Sequence, residues 1–120
     1  MRVLVVDDSK AMRMIIIRTL RQSGVEIGEV REAENGADGL TAVAEFAPNL
    51  ILSDWNMPAM SGIEFLTALR ATGSSTPFGF VTSESSSAMR EQALAAGASF
   101  LLVKPFNGER FAEIINATVG

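Results

Sequence analysis

Cysteine and histidine are both absent from the 120 residues. Without cysteine there can be no disulfide and no thiolate-held metal. Without histidine the chain has no imidazole to act as a general base or to carry a phosphoryl group, so any such group must come from a partner. Long apolar stretches are missing too. No uninterrupted run exceeds four residues, against the roughly 20 needed to cross a bilayer, so no membrane insertion is expected. Nor is there a basic excess: ten Lys and Arg stand against 14 Asp and Glu, a net charge of -4, which argues against direct nucleic-acid binding by phosphate neutralisation. Six of the ten basic residues fall within the first 31 positions, but they alternate with apolar residues as on a solvated helix face. Met1 leads straight into Arg2 and the apolar Val3 to Val6, a start with no room for the core and cleavage site of a secretory leader, so a cytoplasmic protein is expected.

What is present is a globular composition, 48% apolar and 20% charged. A chain of this length reads as one domain over residues 1 to 120, large enough to bury roughly 65% of its unfolded surface without a covalent or metal staple.

Four short apolar runs, Val3 to Val6, Leu50 to Leu52, Phe78 to Val81 and Phe100 to Val103, are each bounded by polar or turn residues, as expected of strands buried on both faces. Glu29 to Ala33 alternates charged and apolar residues and reads as an edge strand. Helical patterns fill the gaps. Met12, Ile16 and Leu20, with Ile15 and Thr19, form an apolar stripe from Ser9 to about Gln22, and Gly24 provides a stop. Asn35 caps a second helix to about Phe46, ended by Pro48. Ser61 and Glu64 have capping-box spacing for a third that stops near Gly73. The serines before Ala88 open a fourth, closed by Gly97, and Asn107 opens a fifth to about Thr118. Alternation of this kind implies an α/β fold, a mainly parallel sheet with helices on both faces.

Ligands in such sheets bind beyond the carboxyl ends of the strands. Those positions hold Asp7 and Asp8, Asp54, Thr82 and Ser83, and Lys104. Each alone has a plainer reading: Asp8 or Ser9 as a helix cap, Thr82 as a strand end, Lys104 as a solvated lysine. Together, after four successive sheet runs, they form a converging polar cluster. Close carboxylates repel by roughly 4 kcal/mol per pair at an effective dielectric of about 20. A hard divalent cation offsets that repulsion, and Mg2+ typically takes one or two carboxylates, waters and a phosphate.

The segments Val3-Leu-Val-Val-Asp7-Asp8-Ser9, Asp54-Trp-Asn-Met-Pro58, Val81-Thr-Ser83 and Val103-Lys-Pro-Phe106 resemble the receiver domain of two-component response regulators, most nearly the single-domain chemotaxis regulators. The resemblance covers the whole chain. It implies a flavodoxin-like doubly wound (βα)5 fold with strand order 2-1-3-4-5. It implies that Asp54 accepts a phosphoryl group from a phosphohistidine on a sensor histidine kinase or phosphotransfer protein. Asp7, Asp8, Asp54 and the backbone carbonyl of Asn56 would then hold Mg2+. Lys104 would pair with the phosphoryl oxygens, Thr82 would donate its hydroxyl, and the Ser83 amide would assist. Asn56 and Glu84 would modulate phosphate lifetime. The bond before Pro105 would be cis.

The same resemblance makes the chain a signalling switch rather than an enzyme, a monomer that catalyses only its own phosphorylation and dephosphorylation. Thr82 would move toward the phosphate, and a downstream target would bind the face of the fourth helix, fifth strand and fifth helix. The family commonly has an aromatic three residues before the lysine; here that position is Leu101, with Phe100 on the opposite strand face. Met14 and Ile17, off the apolar stripe, are expected to be exposed and to dock the phosphodonor. Other readings are a receiver cut from a longer regulator or hybrid kinase, a degenerate binding module, and an aspartate-nucleophile phosphohydrolase. The hydrolase pattern has a second Asp where this chain has Asn56.

Overall fold

The computed structural model describes residues 1–119. Strands and helices alternate: β1 (Arg2–Val6), α1 (Lys10–Gln22), β2 (Glu29–Ala33), α2 (Gly36–Phe46), β3 (Leu50–Ser53), α3 (Gly62–Ala71), β4 (Phe78–Thr82), α4 (Ser87–Ala96), β5 (Phe100–Val103) and α5 (Gly108–Val119). All strands pair in parallel, in the order β2-β1-β3-β4-β5. The order reverses at β1, which lies between β2 and β3.

Local chemistry sets the helix starts. Ser9, Asn35, Ser61 and Ser86 each accept a backbone N–H three residues on, satisfying donors that the first helical turn leaves free. Asn107 does the same for Arg110 at α5. At α3 the Glu64 side chain also accepts the Ser61 N–H, completing the capping box. Gly97 closes α4 in the left-handed conformation, φ 104°, which glycine adopts without steric cost. Ala47 does so at α2, φ 49°, ahead of Pro48, and its carbonyl accepts two bonds from the Arg2 guanidinium.

Period-two alternation divides the core between the two faces of the sheet. Leu4, Val6, Ile51, Phe78, Phe80 and Leu101 pack with Phe65, Leu66 and Leu69 of α3. Val3, Val5, Leu50, Leu52, Val81 and Leu102 pack with Ile16 and Leu20 of α1 and Phe111 and Ile115 of α5. Leu101 is 5% exposed and its neighbour Phe100 packs on the other face.

The helix α1 corrects one expectation. Met14 is exposed, but the second exposed apolar residue is Ile15, not Ile17. Ile17 packs into the cluster that includes Val25, Ile27 and Val30. The cause is tertiary. Arg13, one turn before Ile17, pairs with Glu32 of β2, so that flank of the helix is turned toward the sheet edge. Ile15 lies on the other flank. No helix among the described residues is long and apolar enough to cross a membrane.

Candidate functional site

Three bonds beyond the regular ladders bring the strand ends together. The Asp7 N–H donates to the Ala33 carbonyl at 3.1 Å, the Asp54 N–H to Val6 at 2.9 Å and the Lys104 N–H to Thr82 at 2.8 Å. The ends of β2, β1 and β3 are thereby tied to one another, as are those of β4 and β5. Asp7, Asp8 and Asp54 consequently converge, with one carboxylate oxygen from each lying within 4.8 Å of the others.

Their environments differ. Asp7 is 2% exposed, Asp54 is half-buried and Asp8 is exposed. Burial pushes the Asp7 carboxyl up to about 6, against a bond from the Ser9 amide that favours the charged form. The negative charges of Asp54 and Asp8 raise it further and Lys104 lowers it. Burial also raises Asp54, opposed by Lys104 and then by the Trp55 amide. The Trp55 N–H reaches Asp54 Oδ1 at 2.8 Å.

Asp7 Oδ1 accepts the Ser9 N–H at 2.9 Å. Its Oδ2 is the only buried side-chain oxygen or nitrogen without a hydrogen-bond partner among the described residues. A buried carboxylate oxygen left unbonded is costly. Here it belongs to the same acidic group as Asp8 and Asp54. That donor set of hard oxygens is what Mg2+ takes, so these residues fit the ion.

Around the acids, Thr82 is 1% exposed and its Oγ1 accepts the Glu84 N–H at 3.3 Å, which leaves the hydroxyl proton free to donate. Lys104 is half-buried and belongs to none of the three ion pairs among the described residues. The Lys104–Pro105 peptide bond is cis. Asn56, Ser83 and Glu84 are exposed at the rim. Leu101 lies in the sheet below, paired with Phe80. The Trp55 ring is 4.8 Å from that of Phe80.

Two further residues shape the site. A Cβ on Gly62 would lie 2.3 Å from the Asp54 carbonyl oxygen and 2.6 Å from the Phe80 ring. The Gly62 N–H donates to the Trp55 carbonyl at 2.8 Å, so only glycine lets α3 start this close to the strand end. A glycine directly after the Ser61 cap is a sequence signal for close approach. Arg13 donates from Nη1 to the Asp7 carbonyl at 2.6 Å, and no motif in the sequence marks it. Beside Lys104, Met12, Ile15, Pro105 and Phe106 line a mostly apolar groove of about 350 Å³.

The family model for the response regulator receiver domain matches residues 3–116. The chain is 36% identical over 118 residues to the chemotaxis protein CheY of Bacillus subtilis, covering 98% of this chain and 97% of that protein. Among solved structures it is similar to the chemotaxis protein CheY4 of Vibrio cholerae, with TM-score 0.87 and 35% identity over 98% of this chain and 97% of that one. It is also similar to the signal receiver domain of NarL from Mycobacterium tuberculosis, with TM-score 0.87 and 29% identity over 97% and 93% of the two chains.

Proposed function

The chain belongs to the response regulator receiver domain family, and from that premise we propose that it is a single-domain phosphorylation switch of chemotaxis type whose phosphoacceptor is Asp54. The observation that carries this reading is the buried, unbonded Oδ2 of Asp7 within the carboxylate group that contains Asp54. A structural carboxylate finds partners or leaves the interior; one held without them is suited to a cation.

Asp7, Asp8, Asp54 and the Asn56 carbonyl would hold Mg2+, which when bound neutralises charge on the phosphoryl oxygens. The remaining roles belong to the chain. With Oδ1 taken by the Trp55 amide, Asp54 Oδ2 forms the new bond to phosphorus as the bond to the donor breaks, leaving an acyl phosphate on Asp54 and returning the electron pair to the donor. Phosphoryl transfer depends chiefly on alignment and on stabilising spread negative charge. Lys104 supplies a cation for the phosphoryl oxygens, and Thr82 and the Ser83 amide supply hydrogen-bond donors. Asn56 and Glu84, at the rim, control the approach of water and so the lifetime of the acyl phosphate.

The donor is a phosphohistidine on a kinase or phosphotransfer protein, the partner that membership of the family implies; this chain has no histidine to carry the group itself. The groove formed by Met12, Ile15, Pro105 and Phe106 beside Lys104 is the surface that receives it. Output follows from a two-state equilibrium biased by the phosphoryl group: Thr82 moves toward it, and β4 carries the shift through Leu101 to the face of α4, β5 and α5, where the target binds.

Trp55 fluorescence tests this reading. Mg2+ and then beryllofluoride should each change it, and Asp54→Asn should abolish the second change. A wild-type chain indifferent to both additions contradicts the proposal.

A further inference from the structure

We propose that Arg13 is a positioning residue of the metal pocket, holding the Asp7–Asp8 peptide so that the Asp7 carboxylate stays grouped with those of Asp8 and Asp54; this rests on the Mg2+ reading above. Every polar group of Asp7 except one is committed. Its N–H donates to Ala33, its Oδ1 accepts from Ser9, its carbonyl accepts from Arg13 Nη1 at 2.6 Å, and only Oδ2 remains. The Asp7 carbonyl belongs to the peptide that joins the two acids, so holding that plane restrains the directions in which both side chains leave the backbone.

Arg13 is itself restrained. Its Nε pairs with Glu32 Oε1 at 2.8 Å, and Glu32 directly precedes Ala33, the acceptor of the Asp7 N–H. The contacts therefore close a ring from Asp7 through Ala33, Glu32 and Arg13 back to Asp7. The Arg13 side chain is 12% exposed, whereas Lys10, Arg18 and Arg21 on the same helix are exposed. Because Glu32 balances its charge, Arg13 acts on the pocket through geometry. A rigid fork of guanidinium donors holds the carbonyl and the carboxylate at a fixed spacing, which the rotatable donors of an ammonium on its flexible stem do not.

The test is an Mg2+ titration of the full chain read by Trp55 fluorescence, alongside urea denaturation in chelator. Arg13→Met should raise the Mg2+ Kd about tenfold, the usual effect of losing a group that orients a metal ligand. Arg13→Lys, with one donor centre, should recover part of that loss. If Arg13→Met lowers only the urea midpoint and binds Mg2+ like the wild type, Arg13 merely packs and the proposal fails. Should Arg13→Met not fold, Glu32→Ala replaces it, with a smaller rise in Kd expected and an unchanged Kd overturning the proposal. A wild-type chain that shows no Mg2+ binding would overturn the metal reading itself, and this proposal with it.

Discussion

A carboxylate oxygen of Asp7 lies within 4.8 Å of one of Asp54, although Asp7 is almost wholly buried and Asp54 reaches solvent. The unequal burial gives the pair a pH signature. Burial raises both carboxyls above their ordinary range, Asp7 to about 6. The folded state therefore binds protons that the unfolded chain has already released between about pH 4 and pH 6, and in that window stability falls as pH rises. In chelator, the urea midpoint should be higher at about pH 5 than at about pH 7. Asp7→Asn should flatten the dependence and raise stability at neutral pH by about 2 kcal/mol, while removing the Mg2+ response. A midpoint that falls on acidification from neutral pH contradicts this.

At the start of α3, Gly62→Ala places a Cβ against the Asp54 carbonyl and Phe80. Overpacking of this kind costs about 1–3 kcal/mol. Ser61→Ala, the control at the same helix end, should cost about 1 kcal/mol without touching Asp54. Urea midpoints and acetyl phosphate uptake separate the two: Gly62→Ala should slow uptake, and Ser61→Ala should leave it near wild type.

The groove beside Lys104 yields a kinetic prediction. Ile15→Glu should slow transfer from a histidine-phosphorylated protein roughly tenfold, the loss of about 1.4 kcal/mol of docking. Uptake from acetyl phosphate should be unchanged. Ile17→Glu, which buries a charge, should instead lower the urea midpoint. Equal slowing of both donors by Ile15→Glu would rule out the groove as a docking surface.

Leu101 and Phe100 should differ in how they affect signalling. Leu101 pairs with Phe80, whose ring meets Trp55, while Phe100 packs on the other face with its ring over Gly79. Leu101→Ala should lower the urea stability by about 2–4 kcal/mol and reduce the Trp55 response to beryllofluoride. Phe100→Leu should leave that response intact. The reverse pattern would show that the signal travels on the α1 and α5 side.

The sequence exposed most clearly what is decided locally. The caps at Ser9, Asn35, Ser61 and Asn107, and the limits of β2 at Glu29 and Ala33, follow from side chains within a few residues of each feature. The strand-end acids were legible because each follows its apolar run directly, so topology alone brings them together. The exchange of Ile15 for Ile17 was not legible, because the roll of α1 depends on the Arg13 contact with Glu32 across two elements. The work of Arg13 was hidden for the same reason: a lone basic residue on a helix acquires a partner only when the register of β2 is known.

Intact-mass spectrometry after incubation with Mg2+ and acetyl phosphate decides whether Asp54 is the phosphoacceptor. A single adduct of about 80 Da, one phosphoryl group, should form, map to Asp54 and be absent from Asp54→Asn. No adduct on the wild-type chain, or an adduct that persists in Asp54→Asn, would contradict it.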